Sequence, residues 1–263
     1  MVEKTGVANV IRLAEKKVQY FKKNPLKMFL YSMMSGQFFV LSTVASYMIA
    51  TYLSMSKYTY DLSKLSIGFT CGLGLTLVVY CGAELFTGDA MVVSMGVMDK
   101  KVGLWDSIKL LTVVYVGNYA GAVMFAGIVH MAGIMENDVF LNMINTSVQT
   151  KMALPMFQSF WRAVLCNTVV SLSIWAVAKH ESKIVGIILV NWSVLGFVVS
   201  GYEHVVANFS VFMLALMQSQ GVEGISWLGF FRNVVPVTFG NVVGAALFVS
   251  LQYYLVGNGK EQK

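Results

Sequence analysis

Two carboxylates and two glycines interrupt a long apolar run in the first half of the chain, as Gly-Ala-Glu-Leu-Phe-Thr-Gly-Asp at 82–89. The run covers 65–98, and as one straight helix it would be about 50 Å long, whereas a hydrocarbon core is about 30 Å thick. Carboxylates at membrane depth are costly, and irregular backbone is stable there only inside protein or along a cavity. The pattern therefore predicts a transmembrane helix that is broken at its centre, with a short loop at 85–88.

A second interruption of the same kind occurs in the other half of the chain. The apolar run 184–217 contains Gly-Tyr-Glu-His-Val-Val-Ala-Asn at 201–208, so that Gly-x-Glu recurs at an offset of 119. The motif Gly-Asn-x-x-Gly-Ala-x-x-Phe at 117–125 also recurs, at 240–248, an offset of 123. Chance similarity between apolar helices is the alternative, but two matches in one order favour an internal repeat.

The composition is that of a polytopic membrane protein, with 57% hydrophobic and 12% charged residues. The net charge of +6 does not indicate nucleic-acid binding, because the charges lie between apolar runs and not on one basic face. The cysteines Cys71, Cys81 and Cys166 lie in apolar segments without metal-ligand spacing. We therefore expect no disulfide, no metal site and no cofactor.

Six spans are predicted, of which the second and fifth are the broken ones: 27–53, 65–98, 105–132, 155–178, 184–217 and 230–256. The fold class is thus an all-α integral membrane protein. Each half has three spans, an odd number, so the two repeats must insert with opposite orientation. The prediction is an inverted 3+3 repeat whose two broken helices face each other.

The predicted transmembrane domain is 27–256, with repeat one at 27–132 and repeat two at 155–256. Segment 1–26 is basic and amphipathic, which favours a helix on the cytoplasmic membrane surface over a solvated tail. Segment 257–263 is a short tail. The side that holds both termini carries thirteen Lys and Arg, against three on the other side. This asymmetry predicts cytoplasmic termini in a cell (cytoplasmic or inner) membrane.

His204 is the histidine that lies in the middle of a span, and Thr87 occupies the equivalent break in the other repeat. An ionisable group at this depth points to function, although a histidine that only fastens the broken helix is the alternative. The second half-helices would direct their positive ends at the membrane centre, which favours an anion. His204 could then protonate the anion or donate a hydrogen bond to it.

The other polar residues at the breaks have predicted structural roles. Glu84 and Glu203 would pair with backbone N–H groups or with Asn118 and Asn241, while Asp89 and Asn208 suit helix N-caps. Lys151, near the predicted outer mouth, either attracts anions or is an ordinary loop lysine. Four apolar residues could narrow a pore or simply pack: Leu75, Leu85, Phe86 and Phe197.

The two interrupted motifs and the two Gly-Asn motifs resemble those of the formate/nitrite transporter family, over essentially the whole chain. The resemblance implies an aquaporin-like protomer, a homopentamer with one pore in each protomer, and permeation by small monovalent anions. It also implies that Thr87 and His204 form the central polar pair and that Lys151 is the family's lysine before the fourth span. Asn167 is similar to the family's pore-side asparagine, and the four apolar residues are similar to its constriction.

The substrates implied are hydrosulfide, formate and nitrite. Cys71 departs from the aromatic residue that formate members often have near this position, which favours hydrosulfide. A dedicated formate or nitrite transporter with proton coupling is the alternative. A membrane electron carrier is a distant one, because haem ligation would need paired deep histidines. The Asn-Pro-Ala signature of water pores is absent.

Overall fold

The computed structural model describes residues 2–179, 182–219 and 221–258, and in these parts all the regular secondary structure is helical, with no strand. The helices are α1 (Val2–Lys23), α2 (Pro25–Ser54), α3 (Ser63–Cys81), α4 (Phe86–Met98), α5 (Leu104–Met131), α6 (Asp138–Met152), α7 (Met156–Lys179), α8 (Lys183–Val199), α9 (Val205–Gln218), α10 (Trp227–Ala245) and α11 (Gln252–Asn258). A π-helical segment, Ala246–Leu251, joins α10 to α11. Of the predicted tail, Gly257 and Asn258 belong to α11, and 259–263 lie outside the described residues.

The bundle consists of six transmembrane spans, as predicted. Within the described ranges, five helical segments are long and apolar enough to cross a membrane: Pro25–Ser54, Tyr60–Cys81, Leu104–Met131, Met156–Lys179 and Trp227–Gly257. The shorter apolar helices α4, α8 and α9 complete the set, because α3 with α4 and α8 with α9 form the two broken spans. Large apolar side chains such as Phe69, Trp192 and Phe239 are exposed on the outside of the bundle. An apolar exterior of this kind suits lipid or a neighbouring subunit.

The first break is displaced from its predicted place. α3 ends at Cys81, and the next residue, Gly82, has a φ of 78° in the left-handed region that favours glycine; α4 already begins at Phe86. The predicted loop at 85–88 is therefore wrong, since Thr87 and Gly88 lie in the first turn of α4. The second break has the same form, with Gly201 at a φ of 67° and α9 beginning at Val205.

The Gly-Asn motifs bring two helix backbones together in each repeat, α2 with α5 and α7 with α10. A Cβ on Gly121 would lie 1.9 Å from the carbonyl oxygen of Met33, and a Cβ on Gly244 would lie 2.4 Å from that of Val164. Such close approach is possible only for a residue without a side chain. Met33 and Val164 occupy corresponding positions before the two breaks, so the same contact is made twice.

The second half-helix of each broken span packs into the other repeat. α4 contacts α7 and α10, whereas α9 contacts α2 and α5. The first half-helices, α3 and α8, pack against each other. This exchange brings the two breaks face to face in the interior and confirms the predicted inverted repeat with an aquaporin-like arrangement.

α1 packs against the bundle, and in this respect the predicted membrane-surface helix is wrong. Its apolar side chains Val7, Val10, Ala14 and Val18 are buried in the protein, and the helix contacts α4, α7 and α11. An amphipathic pattern shows only that one face is covered, and here the cover is protein and not lipid.

The predicted connection between the repeats, 133–154, contains the helix α6. Its buried residues Phe140, Ile144, Val148 and Met152 recur every four residues along one face. Asn137 caps the helix by accepting a hydrogen bond from the Phe140 N–H at 3.1 Å. α1 and α6 thus hold similar places, each just before the first span of a repeat.

Candidate functional site

The structure brings Thr87 and His204 together at the centre of the bundle. The Thr87 hydroxyl oxygen lies 2.9 Å from Nε2 of His204, and both residues are buried. The other ring nitrogen, Nδ1, accepts a hydrogen bond from the Ala207 N–H at 3.2 Å. A nitrogen that accepts carries no hydrogen, so the ring is neutral with its hydrogen on Nε2, and it donates to Thr87.

Two phenylalanine rings enclose the imidazole of His204. The Phe39 ring stacks on it with centroids 5.2 Å apart and an interplanar angle of 20°. The Phe197 ring stacks on it at 5.8 Å and 17°. Phe197 was among the predicted constriction residues, whereas Phe39 was missed, because neither the motifs nor the repeat mark it. The polar pair is therefore held in an apolar, desolvated setting.

The remaining predicted constriction residues are all buried, but they face different surroundings. Leu85 is the residue before α4 and adjoins the break, while Leu75 lies in α3. The Phe86 ring packs edge-on against Tyr115, with centroids 5.0 Å apart, and Tyr115 in turn packs against Phe209. The Phe86 side chain thus belongs to an aromatic cluster between α5 and α9. A constricting role for these residues stays a prediction.

Asn118 fastens the first break. Its Oδ1 accepts the Phe86 N–H at 3.0 Å, and its Nδ2 donates to the carbonyls of Ser32 and Glu84 at 2.8 and 2.9 Å. Backbone groups freed by the break are thereby satisfied inside the membrane. The bond to Phe86 is also the reason why α4 begins at that residue.

Asn241 does the same at the second break. Its Oδ1 accepts the Val205 N–H at 3.0 Å, and its Nδ2 donates to the carbonyls of Ala163 and Glu203 at 2.8 and 3.0 Å. The expected contact of each asparagine with its glutamate is therefore present, but it uses the glutamate's backbone and not its carboxylate.

The Glu203 carboxylate lies in a buried polar cluster with Lys151. The Lys151 Nζ is 2.7 Å from Oε1 of Glu203, so Lys151 is not an unpaired loop lysine. Asn208 and Asn233 donate to Oε2 of Glu203 at 2.6 and 3.1 Å. The predicted N-cap role of Asn208 is wrong, because the residue before α9 is His204, whose side chain caps the helix.

A corresponding cluster surrounds Lys17, which sequence reasoning missed. Its Nζ pairs with the Glu84 carboxylate and lies 2.8 Å from Oδ1 of Asp89. Burial lowers the pKa of Lys17, but the adjacent Asp89 and Glu84 outweigh this and leave the pKa above its ordinary value. The predicted N-cap role of Asp89 is also wrong, since α4 begins after Leu85. No sequence signal marks Lys17, because it lies eight residues before Pro25 whereas Lys151 lies four before Pro155.

Asn167 is buried, and its amide is committed to the backbone. Its Nδ2 donates to the carbonyls of Thr87 and Asn241, at 3.1 and 2.7 Å. It thus links the start of α4 to α10 directly beside the Thr87–His204 pair. Asn167 lies near the centre, as expected of a pore-side asparagine. Its amide hydrogens, however, already bond to protein carbonyls.

The first turns of α4 and α9 meet at this central pair. Four N–H groups at the start of a helix lack intrahelical acceptors, and the helix dipole makes that end positive. The site therefore combines two positive helix ends, a neutral imidazole N–H and a hydroxyl within apolar walls. Such an arrangement can donate hydrogen bonds to a small anion that has lost most of its water.

Comparison with known proteins gives a consistent result. The model of the formate/nitrite transporter family matches residues 4–255. A probable formate transporter of Methanothermobacter thermautotrophicus is 32% identical over 251 residues, which cover 89% of this chain and 90% of the relative. The nitrite transporter NirC of Escherichia coli strain K12 is 30% identical over 247 residues, covering 94% of this chain and 88% of the relative.

Solved structures show the same likeness. An FNT family ion channel superposes with a TM-score of 0.87 at 26% identity, covering 95% of this chain and 98% of that one. A pentameric formate channel with formate bound superposes with a TM-score of 0.78 at 26% identity, covering 89% of this chain and 98% of the other. All four of these proteins are named as transporters or channels.

Proposed function

Because the chain belongs to the formate/nitrite transporter family, we propose that this multi-pass membrane protein is a channel through which formate and nitrite cross the bilayer. The observation that carries the proposal is the Thr87–His204 hydrogen bond, buried where the two half-helices α4 and α9 begin. A pair of hydrogen-bond donors at two positive helix ends is suited to a monovalent anion at membrane depth.

Anions would pass one of the two lysine clusters first, and at the second break Lys151 would attract them. Lys17 and Lys151 lie in separate polar clusters, one at each break, and their side chains are 17% and 22% exposed. Each lysine pairs with a glutamate that also adjoins its break, so the cationic group is held close to the path into the interior. Long-range attraction of this kind raises the local anion concentration at a pore mouth.

The barrier lies at the apolar centre, where the stacked Phe39 and Phe197 rings leave little polar surface. A bare anion crosses such a region only at high cost. The Nε2–H of His204 is directed at Thr87, and the Thr87 hydroxyl, which accepts this hydrogen, can rotate its own hydrogen toward an anion. The anion then passes with its charge partly neutralised by hydrogen bonds.

Of the two roles left open for His204, the geometry favours hydrogen-bond donation. Protonation of the ring would place a hydrogen on Nδ1, where the Ala207 N–H already donates. The two hydrogens would point at each other, and the helix cap would be lost. His204 therefore stabilises the passing ligand by donating a hydrogen bond and is not its proton donor.

We propose a homopentamer with one pore in each protomer, supported by the likeness to a pentameric formate channel and by the exposed apolar side chains of the bundle. The distribution of Lys and Arg supports cytoplasmic termini in a cytoplasmic or inner membrane. Segment 1–26 would then lie on the cytoplasmic side, against the transmembrane domain 27–256.

Hydrosulfide is the second candidate substrate, and Cys71 favours it. This half-buried residue of α3 stands where formate members often have an aromatic side chain. The relatives' names favour formate and nitrite instead, so the ranking has to be measured.

The test is uptake of formate, nitrite, hydrosulfide and chloride into proteoliposomes, with and without a pH gradient. The variant Cys71→Phe serves as the matched control for substrate choice. Formate or nitrite uptake well above that of empty liposomes supports the proposal, and hydrosulfide ahead of both supports the second candidate. A folded pentamer that passes none of these anions would refute the proposed function.

A further inference from the structure

The two lysine clusters differ in charge although the repeats place them alike. At the second break Lys151 faces one carboxylate, that of Glu203. At the first break Lys17 faces two, those of Glu84 and Asp89. With every group ionised, the first cluster would carry one excess negative charge in a buried setting, whereas the second would be neutral.

Asp89 and Asn208 occupy matching positions, at the same offset of 119 that relates the two glutamates. The Asn208 amide donates its hydrogens to Glu203 at 2.6 Å and to Asn233 at 2.8 Å. An ionised aspartate has no hydrogen to donate. The residue that corresponds to Asn233 in repeat one is Leu110, at the offset of 123, and it is apolar.

One oxygen of Asp89 is left without a partner as a result. Asp89 is 2% exposed, and its Oδ2 has no hydrogen-bond partner among the residues that the structure describes. A buried charged oxygen without a hydrogen bond is strongly destabilising, and such a group normally takes up a proton. A protonated Asp89 would carry a hydrogen on its carboxyl group, as Asn208 carries hydrogens on its amide nitrogen.

We propose that Asp89 is a proton-binding site on the N-terminal side of the pore, and that its protonated form is the one that admits anions from that side. This inference rests on the proposed function. With Asp89 protonated, Lys17 and Glu84 form a neutral pair, as Lys151 and Glu203 do. When Asp89 loses its proton, the cluster gains a negative charge that repels an approaching anion.

The groups that face Asp89 come from three elements. Lys17 of α1 is the cation, and Glu84 of the break is the like charge beside it. Tyr20 of α1 lies near Glu84 and beside Tyr31 of α2, whose carbonyl accepts the Glu84 N–H. Of the other charged groups near α4, Asp99 contacts Tyr254, Asp106 pairs with Lys22, and Arg162 donates to the Gly201 carbonyl. Glu15 of α1 is half-buried, and four further cations are exposed: Arg12, Lys16, Lys109 and Arg232.

The deciding variant is Asp89→Asn, which gives repeat one the residue that repeat two already has. Initial rates of formate uptake would be measured in everted and right-side-out membrane vesicles, with the pH varied on one face at a time. In the wild type the rate falls by about tenfold for each pH unit once the site has lost its proton. In Asp89→Asn the rate stays at its acid value, and since the substrate is the same, its own titration cancels in the comparison.

The reciprocal variant Asn208→Asp tests the same idea without touching Asp89. It places a second carboxylate beside Lys151, and it should add a new loss of flux at high pH on the opposite face. A pH profile unchanged in both variants would overturn the inference, while anion flux by the wild type would leave the proposed function standing. Wild-type protein without any flux would instead count against the proposed function.

Infrared difference spectroscopy reads the proton itself and is independent of transport. The purified wild type should show the C=O band of a protonated carboxylic acid, and the band should be lost in Asp89→Asn. Glu223→Gln, at an exposed carboxylate, is the matched control and should keep the band. A band that persists in Asp89→Asn would overturn the assignment, and its loss with an unchanged flux profile would overturn the role in permeation.

Discussion

Thr87 and His204 are 117 residues apart in the sequence, and their side chains are joined by a hydrogen bond of 2.9 Å. Each lies at the start of a half-helix, and each half-helix packs into the opposite repeat. The pair therefore exists only when both broken spans are in place. The hydrogen bond at the centre therefore depends on the packing of the whole bundle. Variants at this pair should show which effects on anion flux are independent of stability.

Replacement of His204 by Asn and by Ala should separate its capping role from its role toward the anion. Asn caps helices well, so His204→Asn should keep most of the stability, whereas His204→Ala should lose about 1 kcal/mol. Both variants lack the imidazole N–H and should lose most anion flux or change selectivity. Thermal unfolding in detergent and proteoliposome uptake would be measured together.

Thermal stability and anion flux should therefore respond differently to the two variants. The prediction would be contradicted if His204→Asn passed anions as fast as the wild type and only His204→Ala lost flux. The imidazole would then serve only to cap α9. Size-exclusion chromatography of each variant shows whether the oligomer is intact, so that a loss of flux is not confused with a loss of assembly.

Asn118→Ala and Asn241→Ala should destabilise the protein to similar degrees. Each removes one acceptor and two donated bonds, and every buried backbone group left unpaired costs roughly 1–3 kcal/mol. The transition temperature of each variant would be compared with that of Asn142→Ala, whose exposed side chain lies on α6. A large effect of one asparagine and none of the other would contradict the equivalence of the two breaks.

Gly121→Ala and Gly244→Ala should impair packing, because the new Cβ would meet backbone oxygens of Met33 and Val164 at 1.9 and 2.4 Å. Overpacking of this kind costs about 1–3 kcal/mol. Gly127→Ala is the control on α5, since a Cβ there meets nothing within 4 Å. It should be neutral or stabilising by up to about 1 kcal/mol. Equal unfolding temperatures of Gly121→Ala and Gly127→Ala would show that the helices can separate without cost.

Lys151→Glu should weaken anion uptake, and more so at low than at high ionic strength. The expected cause is lost long-range attraction, which is screened beyond about 10 Å at 0.1 M salt. Initial rates would be measured over a series of salt concentrations. Lys57→Glu, at an exposed lysine predicted to lie on the same side, should have a smaller effect.

A loss of uptake that does not depend on salt would contradict the attraction argument. It would indicate that the ion pair between Lys151 and Glu203 serves mainly to hold the break. Lys151→Arg keeps the positive charge and should retain the salt dependence of the wild type. It therefore separates the effect of the charge on uptake from that of the side-chain geometry.

The sequence by itself determined the membrane class, the six spans, the two breaks and the inverted repeat. These follow from hydrophobic run lengths, interruptions and recurrences, which are local or periodic and need no knowledge of packing. It also singled out Thr87 and His204, because a polar residue in an apolar run is conspicuous wherever its partner lies.

Only the tertiary structure decided where each helix restarts and which groups pair. Asn118 places the first turn of α4 at Phe86 by accepting its N–H, a contact between distant segments. The stacking of Phe39 on His204 is likewise a contact between distant segments. So is the pairing of Lys17, in the buried helix α1, with Glu84 and Asp89. Hydrogen bonds and ring contacts between elements depend on how whole helices pack, and one-dimensional periodicity does not contain that arrangement.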